Sequence, residues 1–372
     1  MLESIENRMK VLHISSYPPK KCGIADYLDM LVSEFEGDHK ILSFKESDGE
    51  KVKGILDEKK ITSLVNGIWW IKNENPDLIH IQHELNLYGR INFIFLAIGI
   101  LVYSKLTKTP VLTTMHTYKR YEVSCNPKEF LKWLGYQKLT YSLIKAISEK
   151  IIVHNKETKE KMGGKDNVEV IPHGVKISQQ KEDVRKDYGF SGKIFLLCIG
   201  FITPNKGLKC AVSAMKHLPN SYKLLIIGSL PSGFEQEGEK YFEELEEKVN
   251  RENLNEKVAL KKKFLSEQEI ENLLYSADIS LFPYQESNQS GMMHRAIGAG
   301  NKIICTDLDV FKNLLEDYGA YFKKNNSEDL ASKIKNHKNI SSTEGLSKNL
   351  TWEKIAKEHR ELYSEITANN YP

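Results

Sequence analysis

Short aliphatic runs alternate with longer amphipathic stretches along most of the chain. Runs such as 78–82 and 111–116 are followed by a polar or glycine-containing loop and then by apolar residues at helical spacing. Continuous aliphatic runs of this length are typical of strands buried on both faces of a parallel sheet. The alternation predicts a doubly wound α/β fold. Strands are predicted at 10–15, 39–43, 78–82, 111–116, 150–154, 168–171, 194–199, 222–227, 258–262, 279–283 and 302–306.

The strand–helix rhythm stops once and then starts again, which predicts two domains. Pro172-His173-Gly174-Val175 and the polar run 176–183 interrupt it and are typical of a linker. A chain of 372 residues is also too long for one ordinary core. We therefore predict one domain at 1–174 and a second at 175–351. The last stretch, 352–372, has apolar positions at helical spacing after Thr351, a candidate N-cap.

The segment 286–300 places a carboxylate and a Ser-Gly turn immediately before an apolar helical run. It follows 277–284, an apolar run broken by proline that predicts a strand ending at the C-terminal edge of the sheet, where ligands bind in open α/β folds. The N–H groups of Gly291, Met292 and Met293, after Ser290, are expected to point at a phosphate, assisted by the helix dipole.

Glu286 is spaced to hydrogen-bond hydroxyl groups on whatever the phosphate carries, so the implied ligand is a sugar phosphate. A second interpretation stays open, in which Glu286 only caps the helix and His294 only packs.

This segment resembles the E-x7-E signature of family 4 of the GT-B glycosyltransferases, which are retaining enzymes that use a nucleotide-sugar donor. Glu286 matches the first glutamate, whereas His294 stands at the position of the second. The resemblance implies a donor-binding role for this segment, with the second position holding ribose hydroxyls. A neutral imidazole donates and accepts, so His294 is chemically able to bind a diol.

A second segment, at 200–207, carries the same resemblance. Gly200 ends the predicted strand 194–199, where a glycine lets a ligand approach the backbone, and Lys206 offers a point charge to a diphosphate. The family has a Gly-Arg pair followed by Lys-Gly, which implies that Lys206 neutralises the leaving nucleoside diphosphate. Phe201 occupies the arginine position, so Arg295 or another basic residue is expected to supply the second cation.

In the first domain, Gly23 and His116 are the candidates. The loop 17–23 is not G-x-G-x-x-G, which weakens a dehydrogenase interpretation. By resemblance Gly23 lies beside the donor phosphate and the acceptor, and His116 lies under the donor sugar, although a purely structural histidine is the alternative. His80 and His83 are three residues apart on a strand and therefore point to opposite faces, which excludes a shared metal.

Taken together, the resemblance implies a GT-B enzyme with two Rossmann-like domains facing across a cleft and a terminal helix, 352–372, that crosses back to the first domain. It implies retaining transfer of a hexosyl group, from a UDP-sugar or from a GDP-sugar such as GDP-mannose, to a hydroxyl of a glycan or lipid-linked acceptor. No metal or other cofactor is expected. The substitutions at Phe201 and His294 keep two alternatives open: a non-transferring enzyme such as a UDP-sugar 2-epimerase, and a non-catalytic nucleotide-sugar binding protein.

The net charge of +3 gives no reason to expect a nucleic-acid partner. Between 88 and 150 the charge is locally positive, which suits an anionic membrane surface or a phosphorylated acceptor, and equally suits solvated helix faces. The basic residues are Arg90, Lys105, Lys108, Lys119, Arg120, Lys128, Lys132, Lys138, Lys145 and Lys150, against Glu122, Glu129 and Glu149.

The same region contains the apolar run 91–103, which is shorter than the roughly 20 residues that span a bilayer. We predict a helix buried against the sheet, with membrane contact as the alternative. Five scattered cysteines, without a C-x-x-C pair, argue against a disulfide framework or a zinc site. Together with an N-terminus that has no apolar signal core, they predict a cytoplasmic protein, in peripheral contact with the inner face of the membrane if the alternative for 91–103 holds.

Overall fold

The computed structural model describes residues 9–20, 22–47, 49–85, 87–118, 127–177, 181–230, 235–287 and 290–368, without the side chains of Arg90 and 127–134. The chain divides into two compact units. Unit 1 consists of Met1–Gly174 and Trp352–Pro372, and unit 2 consists of Val175–Thr351. These limits coincide with the domain limits that the sequence predicts.

Each unit contains one parallel sheet. Unit 1 has a seven-stranded sheet in the order β3-β2-β1-β4-β5-β6-β7, and unit 2 a six-stranded sheet in the order β10-β9-β8-β11-β12-β13. The strands are β1 (Lys10–Ile14), β2 (Asp38–Phe44), β3 (Val52–Leu56), β4 (Leu78–His83), β5 (Val111–Met115), β6 (Lys150–Val153), β7 (Val168–Val170), β8 (Ile194–Ile199), β9 (Tyr222–Gly228), β10 (Val258–Lys262), β11 (Ile279–Phe282), β12 (Lys302–Thr306) and β13 (Gly319–Phe322).

Helices connect most of the strands, as the alternating pattern predicts. They are α1 (Gly23–Ser33), α2 (Ile61–Glu74), α3 (Arg90–Thr107), α4 (Pro127–Ile147), α5 (Lys156–Lys161), α6 (Leu208–Ala214), α7 (Glu235–Arg251), α8 (Glu267–Ser276), α9 (Gly291–Gly298), α10 (Asp309–Leu315), α11 (Ser327–Lys335), α12 (Glu344–Ser347) and α13 (Trp352–Ala368). Short 3-10 turns lie at Arg185–Tyr188, Pro204–Lys206, Met215–His217, Glu316–Tyr318 and His337–Asn339.

Two strands were not predicted, β3 and β13, and both lie at the edge of a sheet. An edge strand is covered less completely, so its sequence needs no continuous aliphatic run. Lys53 and Gly54 interrupt the apolar residues of β3, and three of the four residues of β13 are only partly buried.

The terminal helix α13 belongs to unit 1. Its buried residues Ile355, Leu362 and Tyr363 join a hydrophobic cluster that includes Tyr27 of α1. Trp352 lies directly on Gly174, where a Cβ atom would be 2.3 Å from the indole ring. The final residues 369–372 of the predicted helix lie outside the described residues.

The prediction that the apolar segment 91–103 is a buried helix is only half right. It forms most of α3, whose inner side packs on the sheet through residues such as Leu96 and Ile100. Its outer side is exposed, including Phe95 and Val102. No helix among the described residues has both the length and the apolar character needed to cross a membrane.

Candidate functional site

The loop that leaves β8 passes close to the end of β9. The N–H of Gly200 donates to the carbonyl of Ile227 at 3.1 Å. A Cβ atom at Gly228 would lie 1.6 Å from the carbonyl oxygen of Gly200, so the backbone itself fills the space of a side chain there. Gly200 has φ of +128°, a conformation that favours glycine. The backbone conformation at this strand end therefore explains why residue 200 is a glycine.

The next turn holds Lys206 against the loop that follows β11. Gly207 has φ of +62°, and a Cβ atom on it would lie 1.9 Å from the carbonyl oxygen of Pro283. The N–H of Gln285 donates to the carbonyl of Asn205 at 2.8 Å. Because β8 and β11 are neighbours in the sheet, their C-terminal loops meet at one edge. The two segments that the sequence singles out are thus brought together.

Lys206 is a half-buried cation on an aromatic ring. Its Nζ lies 3.7 Å from the ring centroid of Tyr284. Burial lowers the pKa of Lys206 to about 8. Among the described residues, no carboxylate lies within 4.0 Å of its ammonium group. A partly desolvated charge without a counter-ion is typical of a site that receives an anion.

Tyr284 links Lys206 to the start of α9, a role that the sequence did not suggest. Its hydroxyl oxygen is 3.2 Å from Oγ of Ser290, and burial raises its pKa to about 12. The only available signal was an aromatic residue directly after Pro283 at a strand end. Gly200 also reaches this helix, since a Cβ atom on it would lie 3.3 Å from Cγ of Met292.

The start of α9 corrects one prediction. Ser290 is the N-cap, and its Oγ and carbonyl oxygen accept from the N–H of Met293 at 3.3 and 3.0 Å. That N–H is therefore not free for a phosphate, and the Met293 side chain is buried in the core. The N–H groups of Gly291 and Met292 have no acceptor among the described residues, which here exclude Asn288 and Gln289.

His294 and Glu286 differ strongly in exposure. His294 is buried, and its Nδ1–H donates to the carbonyl of Ser290 at 2.9 Å. Burial lowers its pKa to about 4, so the ring is neutral. Glu286 is exposed. Because Ser290 caps α9, the interpretation of Glu286 as the helix cap is wrong.

Arg295 does not supply the missing cation. Its guanidinium pairs with Glu267 of α8 at 2.7 Å. Phe201, at the arginine position, is 54% exposed and lines a small cavity with Gly200, Lys206 and Tyr284.

A different cation, Lys324, donates from Nζ to the carbonyl of Gln285 at 3.3 Å, next to Glu286. Sequence reasoning missed it because it follows β13, the edge strand that was not predicted.

In unit 1, Gly23 is the first residue of α1 and is exposed. A Cβ atom on it would meet no atom within 4 Å, and its φ is not in the left-handed region. Nothing within the described chain therefore requires glycine here. Its proposed closeness to a ligand stays a prediction.

His116 follows β5 and belongs to a chain of polar contacts. Its Nε2 lies 2.9 Å from Oε1 of Gln82, and its Nδ1 lies 3.3 Å from Nε2 of His154. The ring packs edge-on against Tyr27 with centroids 4.8 Å apart. Burial, followed by the charges of His154, His83 and His359, holds the pKa of His116 well below its ordinary value. His116 is therefore a neutral, oriented imidazole.

The chain of polar contacts continues from Gln82 to the terminal helix. Nε2 of Gln82 lies 3.2 Å from Nε2 of His80, whose Nδ1 lies 2.8 Å from the hydroxyl of Tyr363 on α13. His83 contacts Phe93 of α3 instead. His80 and His83 thus point to opposite faces of the sheet, as predicted.

With this geometry in place, comparison with known proteins identifies the second half of the chain. Residues 180–357 match the family model described as glycosyl transferases group 1. This segment is similar to the group 1 glycosyltransferases.

Other known proteins are similar to this chain over nearly its whole length. An uncharacterized glycosyltransferase, MJ1178 of Methanocaldococcus jannaschii, is 24% identical over 388 residues, covering 96% of this chain and 99% of the relative. Among solved structures, Anabaena HepE in complex with UDP has a TM-score of 0.69 at 16% identity, covering 97% of each chain.

HepE in complex with UDP-glucose gives a TM-score of 0.66 at 16% identity over 97% of each chain. Sucrose-phosphate synthase from Thermosynechococcus elongatus gives 0.70 at 16% identity, covering 97% of this chain and 100% of that one. These likenesses, together with the two parallel sheets, confirm the GT-B fold that the sequence predicts.

Proposed function

We propose that the protein is a retaining, metal-independent glycosyltransferase of family 4 that transfers a hexosyl group from a UDP- or GDP-sugar to a hydroxyl of a glycan or lipid-linked acceptor. The observation that carries the proposal is the ammonium of Lys206, partly desolvated and without a carboxylate partner among the described residues, beside the start of α9. A nucleoside diphosphate is the anion that fits such a place in a group 1 domain.

The comparisons support a nucleotide-sugar donor. HepE has been seen with UDP and with UDP-glucose, although its 16% identity to this chain carries the fold alone. GDP-mannose remains a donor of equal standing in our proposal, which would make the enzyme a mannosyltransferase in polysaccharide or glycolipid synthesis.

The reaction needs few protein groups. The bond between the anomeric carbon and the diphosphate oxygen breaks as the acceptor hydroxyl oxygen attacks the same face of the sugar, which retains the anomeric configuration. The acceptor proton passes to the departing diphosphate. Lys206 and the N–H groups of Gly291 and Met292 stabilise the negative charge that develops there, because a cation and a helix N-terminus are fixed in advance of the reaction. No metal is assigned to this task.

The other candidates bind the sugar and position it. Glu286 accepts hydrogen bonds from sugar hydroxyls, and His294 holds the ribose. His116, kept neutral by burial, binds a hydroxyl of the transferred hexose by exchanging the longer of its two ring contacts, the 3.3 Å contact with His154. Gly23 lets the backbone approach the donor phosphate. Phe201 and Ser290 complete the donor side, Phe201 by contact and Ser290 by holding α9 and Tyr284 in place.

A panel of UDP- and GDP-sugars, including UDP-glucose and GDP-mannose, tests the proposal. Slow release of free nucleoside diphosphate together with free sugar supports a transferase, and the anomeric configuration of the first-formed sugar, read by NMR, tests retention. Interconversion of intact donors would instead identify an epimerase, and binding without turnover, even with acceptor extracts, would identify a binding protein. Loss of turnover in EDTA that Mg²⁺ restores would contradict metal independence.

A further inference from the structure

The outer surface of unit 1 carries a wide apolar area on two adjacent helices. We call it the α2–α3 face. Most large apolar side chains of a soluble domain are covered, and a contiguous exposed group of this kind marks an interaction surface. Its members are Ile61 (48% exposed), Val65 (67%) and Trp69 (66%) on α2, and Ile91 (63%), Phe95 (49%), Ile98 (44%), Val102 (53%) and Leu106 (80%) on α3.

The two helices present these residues as one surface. On each helix the exposed apolar positions recur every three or four residues, so they form a single stripe. The helices approach closely at Gly99, where a Cβ atom would lie 2.9 Å from Cγ1 of Ile68. The opposite stripes, with Leu64 and Leu96 among them, already fill the core. The outward stripes are therefore not needed to fold the unit.

Exposed lysines lie around the α2–α3 face, and the two acids beside its N-terminal end, Asp57 and Glu58, are paired with Lys45 and Lys20. All five of the lysines around the face are exposed, and none has a salt-bridge partner in the part of the chain that the structure describes. The sequence of α3 contains no acidic residue, and Glu74, the single acid of α2, lies 3.7 Å from Nζ of Lys10. These lysines are Lys59, Lys60 and Lys72 around α2, and Lys105 and Lys108 at the end of α3.

We propose that the α2–α3 face binds the surface of an anionic lipid bilayer. Apolar side chains with Trp69 and Phe95 among them would enter the headgroup region, while the lysines meet anionic headgroups. A second copy of this chain fits less well, because a symmetric contact would bring the same lysines toward each other without a counter-charge. The surface requires no transferase activity, so its test is independent of the proposed function.

Vesicle co-sedimentation of the full chain tests this proposal. We expect binding to vesicles of phosphatidylglycerol and phosphatidylcholine, roughly tenfold or more above binding to phosphatidylcholine alone, and weaker at high salt. Trp69→Glu combined with Phe95→Glu should lower binding to anionic vesicles at least about tenfold. Phe264→Glu is the matched control, since Phe264 is 65% exposed in unit 2.

The charges need their own variant. Lys72→Gln combined with Lys105→Gln should lower binding to anionic vesicles by roughly tenfold and leave phosphatidylcholine binding unchanged. Thermal unfolding and turnover of a soluble donor show that each variant is folded.

Absence of vesicle binding, or equal binding by wild type and both double variants, would overturn the proposal. A different result would also overturn it: wild type is a dimer in sedimentation velocity, Trp69→Glu is a monomer, and neither binds vesicles.

Discussion

At the scale of single residues, the site depends on how Lys206 is held. Its ammonium lies over the Tyr284 ring, which lowers the cost of bringing a cation out of water but supplies no full counter-charge. This desolvation lowers the pKa of Lys206 to about 8. An incoming diphosphate would supply the counter-charge. The sequence could point to this lysine because a strand end and a helix start flank it, but Tyr284 and Lys324 needed coordinates.

Replacing Lys206 tests this account directly. Lys206→Ala should lower turnover by about two orders of magnitude, as loss of a charge contact in the transition state does. Turnover at saturating donor is the measurement. Lys209→Ala is the control, because Lys209 lies on the following helix and pairs with Glu244 at 2.6 Å. Equal turnover of the two variants would remove Lys206 from the mechanism.

The lowered pKa of Lys206 also predicts a pH dependence. Below a pH of about 8 the ammonium is charged and can bind the diphosphate, and above it the charge is lost. We expect kcat/KM for the donor to fall as the pH rises through about 8. The fall in kcat should come at higher pH, because a bound diphosphate raises the pKa of Lys206. A kcat/KM profile that stays flat through this pH would contradict the assignment.

At the scale of elements, the sequence predicted every central strand but only two of the four edge strands, β7 and β10. β4 is buried at all six positions and reads as an unbroken apolar and histidine-containing run, whereas β3 is interrupted by Lys53 and Gly54. At α9 the position of the helix start was predicted, but the side chain that caps it was not. Whether Ser290 or Glu286 accepts from the N–H groups in the first turn of α9 depends on the conformation of the loop, which the local sequence pattern does not determine.

The amide of Gln82 joins His116, which follows β5, to His80 of β4, and His80 in turn contacts Tyr363 of α13. In Gln82→Glu, a carboxylate would face His116 and His80 and favour their charged forms, which raises the pKa of His116. If neutral His116 binds the sugar, activity of the variant should be lost at higher pH than in wild type as the pH falls from roughly 8 to 5. The measurement is kcat/KM over that range, with Gln137→Glu, on α4, as control. If kcat/KM falls at the same low pH in Gln82→Glu and in wild type, the chain of polar contacts has no role in keeping His116 neutral.

At the scale of the whole molecule, the chain passes twice from one unit to the other, and the residues at both passages pair within their own unit. The N–H of Val175 donates to the carbonyl of Leu350 at 2.7 Å, and Val175 pairs with Thr351. On the unit 1 side, Trp352 covers Gly174. The sequence predicted the division of the chain because the strand–helix rhythm stops at Pro172. The prediction that the last helix packs on the first domain came from family resemblance, because the residues of α13 alone do not reveal which surface they cover.

Trp352→Ala should destabilise unit 1 by about 3–5 kcal/mol, because it removes a buried aromatic ring from the contact with Gly174 and Tyr27. Denaturant unfolding followed by circular dichroism would measure the change. Trp69→Ala is the matched control, since its ring is 66% exposed and its loss should change stability little. Comparable destabilisation by both substitutions would show that α13 does not stabilise unit 1 in this way.

The membership of α13 in unit 1 has a consequence for biosynthesis. Unit 2 is continuous in the chain, from Val175 to Thr351, whereas unit 1 lacks a piece of its own core until Trp352–Ala368 has been translated. We expect the second-made unit to mature on the ribosome while the first-made one waits, its cluster around Tyr27 open to chaperones. In this protein the order of synthesis and the order of completion are reversed.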